Sequence, residues 1–97
     1  MFFDLPTITL KDRREYRRFR KLLINNGFIM LQESVYCRMA LNKTNADGII
    51  GTVRNGKPQS GIVMALTVTE KQFQRMEFIT GVYHSDLIAT DERIVFL

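Results

Sequence analysis

The sequence contains a single cysteine and a single histidine among its 97 residues. One thiol, Cys37, cannot form an internal disulfide, and it excludes a zinc site built from a cluster of cysteines. No histidine lies near it in the sequence, so we predict that Cys37 is a small core residue rather than a nucleophile. His84 falls in a polar stretch, where we expect an exposed side chain rather than a general base.

Long hydrophobic runs, internal repeats and low-complexity segments are also absent. No window approaches the roughly 18 apolar residues that cross a membrane, and no basic stretch precedes an apolar signal segment. The length predicts one domain with a small core, for which self-association would be unsurprising. With 45% hydrophobic and 25% charged residues and a net charge of +4, the composition predicts a basic cytoplasmic domain with no membrane partner.

Acidic residues are scarce where basic residues are concentrated. The segment from Lys11 to Lys21 carries half of the fourteen basic residues. Across the same predicted helix, Tyr16, Phe19, Leu22 and Leu23 recur at the spacing of one buried helix face. The basic residues fall on the opposite face, and Asn25-Asn26-Gly27 would end the helix in residues that tolerate a left-handed cap.

This helix face has an unusual charge pattern. A solvated face normally mixes both signs, whereas no acid follows Glu15 until Glu33. We therefore expect the face to contact phosphates, with an ordinary solvated surface as the alternative. The expected nucleic-acid contacts are Arg13, Arg14, Arg17, Arg18, Lys21 and, from a later strand, Arg38.

An aspartate closes the first predicted strand. Met1 to Phe3 are apolar and Asp4 follows, after which Leu5-Pro6 stops the strand because proline cannot donate to a β ladder. A carboxylate at the carboxyl end of a strand, beside a basic helix, is suited to holding a metal ion against phosphates. Asp4 is therefore the candidate metal ligand, and we find no convincing second carboxylate to accompany it.

The middle of the chain predicts a short hairpin or a strongly bent strand pair, followed by a second helix. Residues 28–39 alternate as two short strands around the polar Gln32-Glu33-Ser34, which we expect to be a turn or bulge. A helix from about Thr44 to Asn55 follows, with Thr44 and Asp47 fitting a capping pattern.

Three further segments complete the predicted core. Gly61–Val68 is continuously apolar, so we expect a central strand buried on both faces. Thr69 then opens a short helical turn that ends at Met76, and residues 77–80 are predicted to be a brief strand. The resulting order is the βαββαβ pattern of a ferredoxin-like α+β sandwich, with two helices on one face of an antiparallel sheet and the first strand central.

The C-terminal residues predict an extra strand outside this pattern. We divide the chain into a core at residues 1–80 and a loop and strand at residues 81–97. An apolar strand should not remain an open edge, so adding it to a second subunit's sheet would give a symmetric homodimer; folding back onto its own sheet is the alternative. The expected dimer residues are Arg93, Ile94, Val95, Phe96 and Leu97.

Six pieces of the sequence, in order and over nearly the whole chain, resemble the CRISPR-associated protein two family, the small partner of the integrase that inserts spacers into CRISPR arrays. They are Phe3-Asp4-Leu5-Pro6, Tyr16-Arg17-Arg18-Phe19-Arg20-Lys21, Gly27-Phe28-Ile29-Met30, Gln32-Glu33-Ser34-Val35-Tyr36, Leu66-Thr67-Val68-Thr69-Glu70-Lys71-Gln72-Phe73 and Asp91-Glu92-Arg93-Ile94-Val95-Phe96-Leu97. The last two resemble the branch found beside the large single-protein effector nuclease. Family members usually carry more apolar residues before the aspartate, which leaves the length of the central strand open.

The resemblance implies homodimers of ferredoxin-like subunits, whose C-terminal strands complete the partner's sheet. It also implies that Asp4 lies near its counterpart across the dimer and binds a divalent cation, Mg²⁺ or another. Magnesium prefers oxygen ligands, and two Asp4 side chains, or one with substrate phosphates, would hold it better than one alone.

Two functions follow from the resemblance. The one we favour is a non-catalytic scaffold for spacer acquisition that contacts duplex DNA and bridges the integrase, CRISPR-associated protein one, docking through the segment after Gly81. The alternative is a metal-dependent endonuclease that hydrolyses RNA or DNA through Asp4. A ferredoxin-like RNA-binding module would need exposed aromatic residues on the sheet, and the run Ile62–Leu66 offers none.

Overall fold

The computed structural model describes residues 1–81. The predicted C-terminal loop and strand, including the expected dimer residues 93–97 and His84, lie outside this described part. The elements in chain order are β1 (Phe2–Asp4), α1 (Leu10–Asn25), β2 (Ile29–Gln32), β3 (Val35–Cys37), α2 (Lys43–Asn55), β4 (Ile62–Met64) and α3 (Glu70–Gln74). The first six elements confirm the predicted βαββαβ order.

The four strands form one antiparallel sheet in the order β2-β3-β1-β4. Strand β1 pairs with β3 on one side and with β4 on the other, so the first strand is interior, as predicted. A register shift between Met30 and Gln32 in the β2–β3 pair marks the expected irregularity beside the turn. This α+β architecture is compatible with a ferredoxin-like fold.

A hydrophobic cluster joins both long helices to one face of the sheet. It contains Phe3 and Tyr36 from the sheet, Phe19 and Leu23 from α1, and Val53 from α2. The ring of Phe3 packs edge-on against Phe19 with 5.3 Å between centroids and stacks against Tyr36 at 5.5 Å. Because side chains alternate along a strand, the burial of Phe3 directs its neighbours Phe2 and Asp4 to the opposite, outer face of the sheet.

Local capping sets the ends of α1. The Thr9 hydroxyl accepts a hydrogen bond from the Asp12 amide at 3.0 Å, and the Asp12 carboxylate accepts one from the Thr9 amide at 3.2 Å, which forms a capping box. At the other end the helix stops at Asn25, as predicted, and Gly27 adopts a φ of 85° that few other residues tolerate.

The predicted capping pattern of α2 is wrong. The helix begins at Lys43, and its N-cap is Asn42, whose side chain accepts a hydrogen bond from the Asn45 amide at 2.8 Å. Asparagine is a stronger N-cap than threonine, so the earlier residue caps the helix and Thr44 lies inside it.

Two predictions for the segment after residue 60 are also wrong. Only Ile62–Met64 of the apolar run is a strand, and among the described strands it pairs with β1 alone at one edge of the sheet. Ile62 and Met64 are 58% and 57% exposed, so they are not buried as predicted. The prediction failed because a continuous apolar run also fits a strand whose outer face stays open. Residues 77–80 pair with no described strand, although the capped turn at Thr69 is confirmed as α3.

No helix in residues 1–81 is both long enough and apolar enough to cross a lipid bilayer.

Candidate functional site

Six cations project from one continuous arc of α1. At about 100° per residue the arc spans about 160° and faces away from Phe19 and Leu23, which are fully buried. All six side chains belong to exposed residues. We call this surface the basic face; its members are Arg13, Arg14, Arg17, Arg18, Arg20 and Lys21.

Four members of the basic face have no side-chain partner among the described residues. Within residues 1–81, no hydrogen bond or ion pair to another described residue engages the side chains of Arg13, Arg14, Arg17 or Lys21. Their charges are therefore open to an external anion, as the sequence-based hypothesis of phosphate contact requires.

Arg18 has a different environment. Its Nε and Nη2 groups donate to Glu15 Oε2 at 3.0 and 2.8 Å. Its Nη1 donates to the carbonyl of Gly56 at 3.0 Å, and Nη2 also donates to the carbonyl of Lys57 at 3.2 Å. The guanidinium thus ties α1 to the segment that leaves α2.

Arg20 is anchored by a residue that the sequence analysis did not include among the site residues. Its Nε donates to the hydroxyl of Tyr36 at 2.9 Å, and Tyr36 is only 1% exposed. The only sequence signal for this contact is strand alternation in β3, which places Tyr36 toward the helices. Alternation cannot show which arginine the hydroxyl meets.

A second tyrosine fastens the β2–β3 turn to α1. The Tyr16 hydroxyl donates to the carbonyl of Glu33 at 3.2 Å. Burial raises the pKa of Tyr16, and the nearby Tyr36 and Glu33 raise it further. The turn is therefore held against the same helix that carries the basic face.

Arg38, the predicted contact outside α1, follows β3 and is half-buried. Its side chain lies over Gly27, and its Nε would be 3.3 Å from a β-carbon at that glycine. This location beside the carboxyl end of α1 favours a cation because of the helix dipole.

Asp4 is exposed at the end of β1, opposite Ile62 in β4. Strand register places it on the outer sheet face with Phe2, Ile29, Val35, Cys37, Ile62 and Met64. Four of these apolar residues are substantially exposed, from 38% at Phe2 to 58% at Ile62. Exposed apolar surface of this kind is typical of an interaction site.

Residues 1–81 of one chain provide only part of a metal site. The described residues contain no group of three or more His, Cys, Asp or Glu side chains able to hold an ion. One carboxylate fits the oxygen preference of Mg²⁺ but does not supply the several ligands it needs. Asp4 would therefore require ligands from outside the described residues, such as those of a second copy or of a substrate.

Cys37 lies on the same outer face but is partly buried. Burial raises the pKa of its thiol to about 12, although the nearby amino group of Met1 opposes the shift. The thiol is consequently protonated at neutral pH, as suits a packing residue rather than a nucleophile.

Comparisons with known proteins agree with these features. The family model described as CRISPR associated protein Cas2 matches residues 1–76. A CRISPR-associated endoribonuclease Cas2 of Treponema denticola is 50% identical over 97 residues, covering all of this chain and 96% of the relative. Proteins with the same name are 44% identical in Lacticaseibacillus rhamnosus and 42% identical in Streptococcus mutans, again over all of this chain and over 96% and 91% of the relatives.

Proposed function

The chain belongs to the Cas2 family of CRISPR-associated proteins, and from that premise we propose that it acts in spacer acquisition as a DNA-binding scaffold. In this role a basic homodimer binds the backbone of duplex DNA and bridges subunits of the CRISPR integrase, CRISPR-associated protein one. The observation that carries the proposal is the basic face of α1, where four exposed cations have no partner within residues 1–81.

The proposed DNA contacts are nonspecific in sequence. Arginine and lysine side chains that meet phosphates fix the position of a protein on the duplex and carry little base information. This property suits capture of DNA fragments of varied sequence. Arg13, Arg14, Arg17 and Lys21 would supply these contacts, with Arg38 at the carboxyl end of the helix.

The proposed dimer uses the other side of the molecule. The outer sheet face exposes Phe2, Ile62 and Met64, and a second copy would remove this apolar surface from water. We propose that the segment 81–97 extends the core of residues 1–80, with residues 93–97 completing the partner's sheet and the segment after Gly81 docking the integrase. A cytoplasmic location follows from this role.

A double charge reversal tests the DNA contact. Arg14→Glu with Arg17→Glu should abolish binding to two duplexes of unrelated sequence, measured by fluorescence anisotropy at moderate salt. The matched control is Lys71→Glu with Arg75→Glu, which makes the same charge change on exposed residues at α3. We expect the control to retain most of the binding. Unchanged binding by the α1 variant would overturn the proposal, as would equal losses in both variants.

The second candidate function is a metal-dependent endonuclease that cleaves single-stranded RNA or duplex DNA. The observation that favours it is the exposed carboxylate of Asp4 at the end of β1, on the face proposed for dimerisation. Asp4 from each of two subunits, or one Asp4 with substrate phosphates, would hold a divalent cation such as Mg²⁺. When bound, that ion supplies an activated water for phosphodiester hydrolysis. Since residues 1–81 provide a single carboxylate at this site, we rank this function second.

The two functions separate in a reconstituted spacer-integration reaction. Wild type and Asp4→Asn would be compared with the cognate integrase, together with measurements of dimerisation and duplex binding. Equal integration supports the scaffold and makes Asp4 dispensable. Loss of integration, with dimerisation and duplex binding intact, would mean that Asp4 has a chemical role and would place the nuclease first.

A further inference from the structure

Two arginines of the basic face, separated by one residue, have different structural roles. Arg18 and Arg20 both occupy exposed positions of α1. Their residue type alone makes them equally suitable as phosphate contacts. The hydrogen-bond partners of their guanidinium groups distinguish them.

The guanidinium of Arg18 is largely occupied by its own chain. A guanidinium has five N–H donors, and in Arg18 they make four contacts with Glu15, Gly56 and Lys57. Glu15 also offsets its charge through the ion pair at 2.8 Å. Binding a phosphate through Arg18 would therefore require some of these contacts to break.

Arg20 is held at one nitrogen only. Its Nε donates to the Tyr36 hydroxyl at 2.9 Å, whereas Nη1 and Nη2 make no hydrogen bond to another residue in the described chain. These two terminal nitrogens can still bind a phosphate, which arginine recognises through paired donors.

The group that holds Arg20 is itself rigid. Tyr36 is 1% exposed, and its ring stacks against Phe3. Its backbone belongs to β3, and its amide donates to the carbonyl of Met1 at 2.9 Å. A long surface side chain normally loses rotamer entropy when it binds a ligand. Because Tyr36 already restricts the Arg20 side chain in the free protein, less of this entropy remains to be lost on binding.

We propose that Arg20 is a further backbone-phosphate ligand of the basic face and that Tyr36 is its positioning residue. The proposal rests on the proposed function, because it adds a ligand to the same duplex-binding surface. It assigns Arg18, by contrast, to holding the helix against the segment after α2. The Tyr36 hydroxyl thus connects the hydrophobic core to the arginine proposed to contact DNA.

Salt dependence distinguishes a phosphate ligand from a structural residue. Each phosphate contact contributes about 0.9 to the magnitude of the slope of log K against log salt for duplex DNA. Arg20→Ala should weaken duplex binding and reduce that magnitude by about 0.9. Arg18→Ala is the matched control in the same helix, and it should leave the slope unchanged while lowering the stability of the protein. Equal slopes for wild type and Arg20→Ala, or equal reductions in both variants, would overturn the assignment.

The Tyr36 role is tested by removing only the hydroxyl. Tyr36→Phe keeps the ring and leaves Arg20 Nε open to water, so the fold should survive, as circular dichroism would verify. We expect about 2- to 10-fold weaker duplex binding with the salt slope retained, because the Arg20 charge remains. In the Arg20→Ala background, Tyr36→Phe should have no further effect on binding. An equal effect of Tyr36→Phe in both backgrounds would overturn the positioning role.

The Arg14 and Arg17 charge reversal separates this inference from the proposed function. If that reversal abolishes duplex binding while Arg20→Ala behaves as wild type, the Arg20 assignment fails and the scaffold function stands. If duplex binding survives the reversal, the proposed face is wrong, and the Arg20 assignment is wrong with it.

Discussion

Gly61 lies directly against the backbone of Asp4: a β-carbon at Gly61 would be 2.6 Å from the Asp4 carbonyl oxygen and 2.7 Å from a methyl carbon of Leu5. Gly61 also has a φ of 93°, which residues with a side chain rarely adopt. The start of β4 therefore approaches the end of β1 only because residue 61 has no side chain. The backbone of the candidate metal ligand and the edge strand are coupled through this contact.

Gly61→Ala should destabilise the protein by more than about 2 kcal/mol, since it combines a backbone clash with an unfavourable φ. Urea unfolding followed by circular dichroism would measure the change. If Asp4 holds a metal ion for phosphodiester hydrolysis, that nuclease activity should be lower in Gly61→Ala than in wild type, even at temperatures where the variant remains folded. Wild-type stability in Gly61→Ala would contradict the close approach of the two strands.

Replacing the glycines inside α2 by alanine should increase the stability of the protein. A β-carbon at Gly48 or Gly51 would meet nothing within 4 Å, and both residues lie in the helix interior. Alanine restricts the unfolded chain and favours the helix by roughly 0.5–1 kcal/mol at each position. We expect Gly48→Ala and Gly51→Ala to raise the urea midpoint, and a lowered midpoint in either variant would indicate a contact on that helix face.

Arg18→Ala should reduce stability even though the side chain is 45% exposed. The substitution removes the ion pair with Glu15, which contributes little to stability at an exposed site. It also removes the hydrogen bonds to the carbonyls of Gly56 and Lys57. After allowance for solvent screening we expect a loss of about 1 kcal/mol. The control is Arg14→Ala, for which we expect a change within about 0.5 kcal/mol. Equal stabilities for the two variants would contradict the structural role of Arg18.

Local sequence signals predicted the helices well because their causes are local. The 3.6-residue period identified Phe19 and Leu23 as buried residues of α1, and Asn26-Gly27 marked its end. The Thr69 capping box is formed within four residues. Such signals do not depend on the rest of the fold.

Tertiary relationships were less accessible to sequence analysis. The apolar run after Gly61 could not reveal whether its strand lay inside the sheet or at the edge, since both settings accept apolar side chains. The distinction between Arg18 and Arg20 depends on partners 38 and 16 residues away, which helix periodicity does not encode. Asp4 as a metal ligand and the strand at residues 93–97 stay predictions.

The Cys37 thiol should make the protein sensitive to alkaline pH. Burial raises the pKa of the folded thiol to about 12, above an ordinary value of 9.0. Between these values the unfolded chain has released the proton and the folded chain retains it, so stability decreases as pH rises. Below the ordinary value both states are protonated and the thiol has no such effect.

This prediction can be isolated from other titrating groups by comparison with Cys37→Ala. The stability difference between wild type and variant, measured by urea unfolding, should shrink as the pH rises above 9.0 towards about 12, because only wild type loses the contribution of the protonated thiol. A thiol-specific reagent should also react slowly with the folded protein near pH 8 and rapidly after unfolding, since the thiolate is the reactive form. A constant stability difference together with fast modification of the folded protein would mean that the thiol is exposed and titrates normally.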